Sequence, residues 1–259
     1  MVQAAEVMDA GEDLPPVVTT DTSALEFVAH CVLKLRERHG VRIVYDRHGE
    51  RARGFSRGAE TVFGAFDPGR TWASNVFGIL AERDDHVVGA MQMGMYDLGN
   101  LSLAQYLAEN SLFKGGPRMR LEGDALTLAS AIMGTVGFTG DAWVSRDNRG
   151  GTPFSRDWIR YATLIADMLA IATRAARGTF LFSRQAVMAK INPPVETRTL
   201  GIEWGGEVRH LVWTSEGFTR KAAAAAVLDQ DRASPVTERS QVVDLALSRT
   251  GTDPLYIAG

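Results

Sequence analysis

The sequence predicts an α/β fold, with a central mixed sheet of about six or seven strands and flanking helices. Three observations predict it. Apolar strand-like segments are joined by tight-turn pairs at Asp84-Asp85 and Gly205-Gly206, amphipathic helical patterns flank them, and the strand ending near Ser145 runs through a glycine turn into a long helical pattern. The 259 residues, 45% of them hydrophobic, can bury a sizeable core in one large domain. A formal charge of −3 offers no global attraction for nucleic acid or an anionic membrane, so anion recognition must come from a local cluster.

Taken in order, residues 1–20, with Pro15-Pro16 and few large apolar groups, read as an arm outside the fold. Ser23 reads as an N-cap, followed by Leu25, Val28, Ala29, Val32 and Leu35 at helical spacing, with Gly40 as the stop. Cys31 falls inside this pattern and reads as core. A single cysteine excludes an internal disulfide framework and suits a reducing compartment. Val41 to Tyr45 is a short strand. The next segment carries Arg47, Arg51, Arg53 and Arg57 with His48, and reads either as a solvated loop or as a docking surface for an anion or an acyl carrier. Asn75 to Arg83 and His86 to Tyr96 form a hairpin, and Ser102 caps a short helix through Leu112 that Gly115-Gly116-Pro117 ends.

Leu126 to Met133 reads as helical or irregular, and Val136 to Ser145 is the central strand, kinked at Gly137 and Gly140. Pro153 occupies a first helical position, and Trp158, Ala162, Ile165, Leu169 and Ala172 mark one face of a helix running to about Ala176. Thr179 to Ser183 is a strand and Gln185 to Ile191 a short helix. The segments Val195 to Trp204 and Glu207 to Thr214 form the final hairpin. The domain therefore spans 21–214. Two further helices, near Gly217 to Gln230 and Glu238 to Arg249, make 215–259 an extension packed on it; Ala222 to Ala226 favours the first and Val242, Val243, Leu245 and Leu247 give the second an apolar face.

The stretch from Asp141 to Thr152 carries the chemistry. A strand enters a glycine turn bearing arginine, and the turn opens a helix, so several backbone N–H groups converge on one anion. That geometry suits coenzyme A or a phosphopantetheine arm, taken up as a co-substrate and not held permanently.

With this turn in its center, the element order over about residues 24 to 214 resembles the GNAT superfamily of acyl-CoA N-acyltransferases. The resemblance implies a central strand splayed from its neighbour, with free amides bonding the pantetheine arm and the turn holding the pyrophosphate. By position Trp143, Val144 and Ser145 match that strand, and Arg149, Gly150, Gly151 and Thr152 match that turn. The chain departs from the family pattern where Thr152 stands in place of a glycine and Phe154 in place of a glycine or alanine, narrowing the approach to the backbone. Thr152 can answer with a hydroxyl bond and a helix cap, and Arg149 with charge. Ala81-Glu82-Arg83 and Val87-Val88-Gly89, with Phe66-Asp67 upstream, are similar to the acyl-homoserine-lactone synthases and N-acyl amino acid synthases of the same core. That subgroup implies a longer acyl chain and acyl carrier protein as donor.

Acyl transfer to an amine needs proximity, a base and an oxyanion donor; alignment alone supplies effective molarities on the order of 10⁵ M. Glu82 and Asp141 are the candidate bases, with Glu203 a third, and each has a bland alternative as a solvated strand carboxylate. The Val144 amide is the candidate oxyanion donor, and Tyr161 either protonates the leaving thiolate or packs. Met91, Met93 and Met95 share one strand face, either as core or as an acyl-chain wall completed by Trp143, Trp158 and Phe138. His30, His39, His48, His86 and His210 are scattered without metal-site spacing, so no metal is expected.

The expected protein is a cytoplasmic N-acyltransferase acting on a small-molecule primary amine, with no nucleic acid or membrane partner and a homodimer left open. Its rival is a non-catalytic binding module with a degraded pyrophosphate turn.

Overall fold

A computed structural model of the chain describes residues 21–55, 65–184, 196–204, 206–233 and 255–256. The Asp84-Asp85 pair forms the expected hairpin between β2 (Asn75–Arg83) and β3 (His86–Ser102), with Arg83 opposite His86. Both aspartates take positive φ, 50° and 62°, the two-residue turn whose twist matches that of the strands. β3 runs further than the sequence predicts, across Gly99-Asn100, because its ladder with β5 (Met133–Val144) carries it to Ser102. The second hairpin joins β7 (Thr197–Trp204) to β8 (Glu207–Ser215), with Trp204 opposite Glu207.

Among the described residues these strands form one nine-stranded sheet with β1 (Arg42–Asp46), β4 (Arg120–Leu121), β6 (Gly178–Ser183) and β9 (Leu255–Tyr256), in the order β4-β7-β8-β6-β5-β3-β2-β1-β9. The count exceeds the expected six or seven because two-residue strands at each edge, β4 and β9, are too short to leave a pattern. Among the described strands the β5–β6 pair alone is parallel.

Helices cover both faces, burying the two sets of alternating side chains separately. On one face lie α1 (Thr22–His39) and α5 (Pro153–Arg174), over Ile43, Phe77, Ile79, Met91, Met93 and Met95. Asp21, not Ser23, caps α1: its carboxylate accepts from Ala24 N at 3.1 Å and from the Ser23 hydroxyl at 2.7 Å. Asp157 of α5 holds the other end of α1 through His39 Nε2 at 2.9 Å and Arg38 at 3.2 Å. Helix α6 (Glu216–Ala233) adds Ala223 to this layer, and its Arg220 pairs with Asp21. The second helix expected beyond it, and the one expected over 185–191, lie outside the described residues.

The opposite face is covered by α2 (Glu50–Arg53), α3 (Leu103–Asn110) and α4 (Gly123–Ala131). Arg47 to Arg53 is thus partly a helical turn, fixed where Ala52 N donates to buried Asp46 at 2.9 Å. It lies so close to β2 that a Cβ on Gly78 would stand 2.5 Å from that of Ala52. Ser102 and Gln105 form a reciprocal capping box at α3. Cys31 is fully buried, and burial pushes its thiol up to about 12, as its core reading requires. Among the described residues no helix is long and apolar enough to cross a membrane.

One carboxyl is enclosed between sheet and helix. Asp167 of α5, 2% exposed, accepts from Thr139 Oγ1 of β5 at 3.3 Å and from Thr179 of β6. Burial raises its pKa to about 7, against the two hydroxyl bonds that lower it.

Two predictions follow for stability. Asp85→Gly relieves a left-handed non-glycine residue and raises stability by about 0.5–1 kcal/mol, read as a higher melting temperature. For Asp167, the native carboxyl keeps a proton that the unfolded one loses, so its contribution is complete below 3.8 and is lost as pH rises through about 7. Asp167→Asn, which stays neutral, gains on the wild type across that window, by up to about 4 kcal/mol in denaturant titrations; parallel pH profiles for the two proteins would refute this.

Candidate functional site

The site begins where two strands part. The β5–β6 ladder contains the pairs Gly137 with Thr179 and Phe138 with Phe180. Beyond them β5 stays with β3 as far as Val144 opposite Gly89, while β6 stays with β8 as far as Ser183 opposite His210. The expected splay between central strands is therefore present. Gly140 pairs with Gln92 and Trp143 with Ala90, so Asp141 and Ala142 stand together against Met91 as a bulge.

Ser145 N donates to Val88 O at 2.9 Å, the bond that closes this ladder. In an antiparallel pair such bonds alternate, so the N–H and C=O of the preceding Val144 point away from β3, to the side that β6 has left. The carbonyl direction is visible in its partner: Arg149 Nε donates to Val144 O at 2.6 Å. The Val144 amide is thus directed away from β3, on the side where β6 has parted.

The strand then passes through a turn of 3-10 helix, Arg146–Asn148, and reaches Gly150 and Gly151 at φ 83° and 80°. Positive φ explains both glycines. A Cβ on either would meet nothing within 4 Å, so the turn faces open space. Thr152 caps α5 as anticipated, accepting from Ser155 N at 3.1 Å, and its hydroxyl donates to Asn148 O at 2.6 Å. That hydroxyl is fully engaged within the chain, so anion contacts here fall to backbone N–H groups and to exposed Arg146 and Arg149. Trp143 is half-buried between the Phe55 ring, 4.8 Å away at the end of the arginine segment, and the Arg149 guanidinium, 6.0 Å away.

The catalytic candidates scatter. Glu82 is 5% exposed and two strands away from the gap, across β3, where it bridges Arg42 of β1 and Arg51 of α2. Burial pushes its carboxyl up, but bonds from Arg51 and Arg42 outweigh this and hold it below the usual carboxylate range. A carboxylate so stabilised is a weak base, and no local pattern signals it because both arginines are distant along the chain. Tyr161 packs beside the α1–α5 layer near Arg38, and Glu203 is exposed on β7, three strands from β5. Asp141 lies in the bulge, with its side chain outside the described residues.

The acyl-wall grouping divides between the two faces. Met91, Met93, Met95 and Trp158 belong to the core under α1 and α5, at most 2% exposed, whereas Trp143 and Phe138 lie on the other face. Phe138 instead heads an aromatic row with Phe182 at 5.6 Å and, beyond it, Trp204 at 5.2 Å from Phe182. Asp167 was also missed; its signal is a lone acid in the apolar run from Ala162 to Ala172, broken otherwise by Thr163 alone.

No protein-family model matches the chain, and no curated protein matches it. Similar solved structures include an acyl-CoA N-acyltransferase from Pseudomonas aeruginosa, 9% identical with a TM-score of 0.40, over 68% of this chain and 99% of that one. Mycobacterium smegmatis RimJ in complex with CoA-disulfide is 13% identical with a TM-score of 0.33, over 82% of this chain and 86% of its own.

Proposed function

We propose that this chain is an N-acyltransferase that moves an acyl group from a CoA or carrier-protein thioester to a primary amine. The observation that supports it most is the juxtaposition of a Val144 amide that points away from β3, on the side where β6 has parted, with an open glycine turn at the start of a long helix. The pantetheine arm lies along Trp143 to Ser145, completing strand bonds that β6 leaves unmade. Its phosphates rest on the N–H groups from Gly150 to Thr152 beside Arg149. The thioester carbonyl then meets Val144 N–H, which stabilises the oxygen charge of the tetrahedral intermediate.

The amine nitrogen attacks the carbonyl carbon, the new C–N bond forms, and the C–S bond breaks as the thiolate leaves. The ammonium loses one proton and the thiolate gains one. With Glu82 locked between arginines, Asp141 is the remaining carboxylate on β5 for the first transfer, and no covalent enzyme intermediate is needed. The carrier-protein donor and the kinship with N-acyl amino acid synthases belong to this proposal. The carrier-protein donor is supported by the arginine segment, which places Arg53 near Phe55 on the Trp143 flank, and the kinship by the resemblance at Ala81-Glu82-Arg83 and Val87-Val88-Gly89.

A binding module without catalysis is favoured by one observation, the complete engagement of the Thr152 hydroxyl within the turn. Thermal-shift measurement with CoA separates the two when joined to turnover, since a ligand at 100 times its Kd adds about 2.7 kcal/mol.

The enzyme reading expects free thiol to appear when acyl-CoAs of several chain lengths are incubated with pooled amines. Arg149→Ala should raise the donor KM about tenfold with little change in kcat, because it removes a charge-assisted contact made equally in ground and transition states. Stabilisation by CoA with no thiol released from any donor would leave the module.

A further inference from the structure

Arg209 on β8 is a buried cation whose hydrogen bonding is incomplete. The residue is 7% exposed and lies two positions before Leu211, on the same sheet face as Phe138, Phe180 and Trp204. Its guanidinium stands 5.0 Å from the centroid of the Trp204 ring. Nη2 donates to Glu207 Oε2 at 3.0 Å, while Nε has no acceptor. Nε and Nη2 form the edge of the guanidinium that grips a carboxylate with two parallel bonds.

Glu207 cannot fill that edge, because Arg184 already holds it with both nitrogens, Nε to Oε2 at 2.8 Å and Nη2 to Oε1 at 3.0 Å. Two arginines therefore share one carboxylate, and the one left with an open N–H is the buried one. Arg184 and Glu207 themselves are well exposed, so the carboxylate that Arg209 shares stands at the surface. From Arg209 the aromatic row of Trp204, Phe182 and Phe138 leads back to the strand gap, where Phe138 is the last β5 residue paired with β6.

We propose that Arg209 anchors a subsite for a ligand that joins a ring-sized apolar part to a carboxylate. The two oxygens take Nε and Nη2, the apolar part lies along Trp204 and Phe182, and Glu207 stays with Arg184. Placing this ligand on the acceptor side of acyl transfer rests on the reading above; recognition of the carboxylate does not.

Calorimetric titration of the full chain with phenylpropionate and with neutral phenylpropanamide tests it directly. The acid should bind about ten times more tightly, as a charge-assisted pair of bonds requires. Arg209→Gln should bring the acid to the level of the amide, and Arg209→Lys, which keeps the charge without the fork, should restore part of the preference. Glu207→Gln, which frees Nη2, should keep or strengthen acid binding, and it decides the matter if the Arg209 variants fail to fold. Equal binding of acid and amide to the wild type, no binding of either, or a preference that survives in Arg209→Gln would overturn the subsite. Turnover separates the two readings. Acid binding that depends on Arg209, with no donor consumed by any amine, retains the subsite and removes acyl transfer. Donor consumption with no preference for acidic probes does the reverse.

Discussion

A strand N–H that leaves one partner must find another, and β5 has partners on both sides for only part of its length. β3 follows it to Val144, but β6 is committed to β8 over its whole span and parts from β5 after Phe138. The neighbouring features are arranged around this early parting. Thr139, the first β5 residue past the paired stretch, is bonded to Asp167, which also bonds Thr179 on the other strand and so spans the apex from behind. Val144 turns its amide to the open side, and the chain then needs a rapid change of direction. The two positive-φ glycines supply it before Thr152 and Pro153 start α5.

Much of this was legible because each signal was local. Pro153 behind a capping threonine marked the helix start, and paired turn residues marked both hairpins. Ser23 and Asp21 are both capping types two residues apart, and only the geometry shows that the carboxylate takes the amide while the serine hydroxyl bonds to that carboxylate. The edge strands β4 and β9 hold two residues each and have no periodicity to read. The alternation of Met91, Met93 and Met95 told that they share a face, but alternation carries no sign, and which helix layer covers that face is a tertiary matter.

The site chemistry was less legible, since a carboxyl takes its character from groups far away in sequence. Glu82 and Asp167 are both nearly inaccessible to solvent, yet their affinities for a proton move in opposite directions. Glu82 meets two guanidinium groups that favour its charge; Asp167 meets only hydroxyls, which cannot offset the loss of water. Arg209 presents the same difficulty with the sign reversed: on paper it is an ordinary strand cation beside a glutamate, and only the competing grip of Arg184 on that glutamate reveals its open N–H.

The bulge at Asp141 and Ala142 has a consequence for the rest of β5. Phe138 and Trp143 are an odd number of residues apart, yet they share the face away from α5, while Val144 lies under α5. An unbroken pleat would place them on opposite sides. The extra residue thus resets the frame of the strand, so that what matters at this pair is the number of residues before what they are. Flattening the pair into the pleat with both residues kept would send the indole of Trp143 beneath the long helix and leave the Phe55 ring without its partner, whereas deleting one of the two would put Trp143 an even number of residues from Phe138 and keep it on its present face.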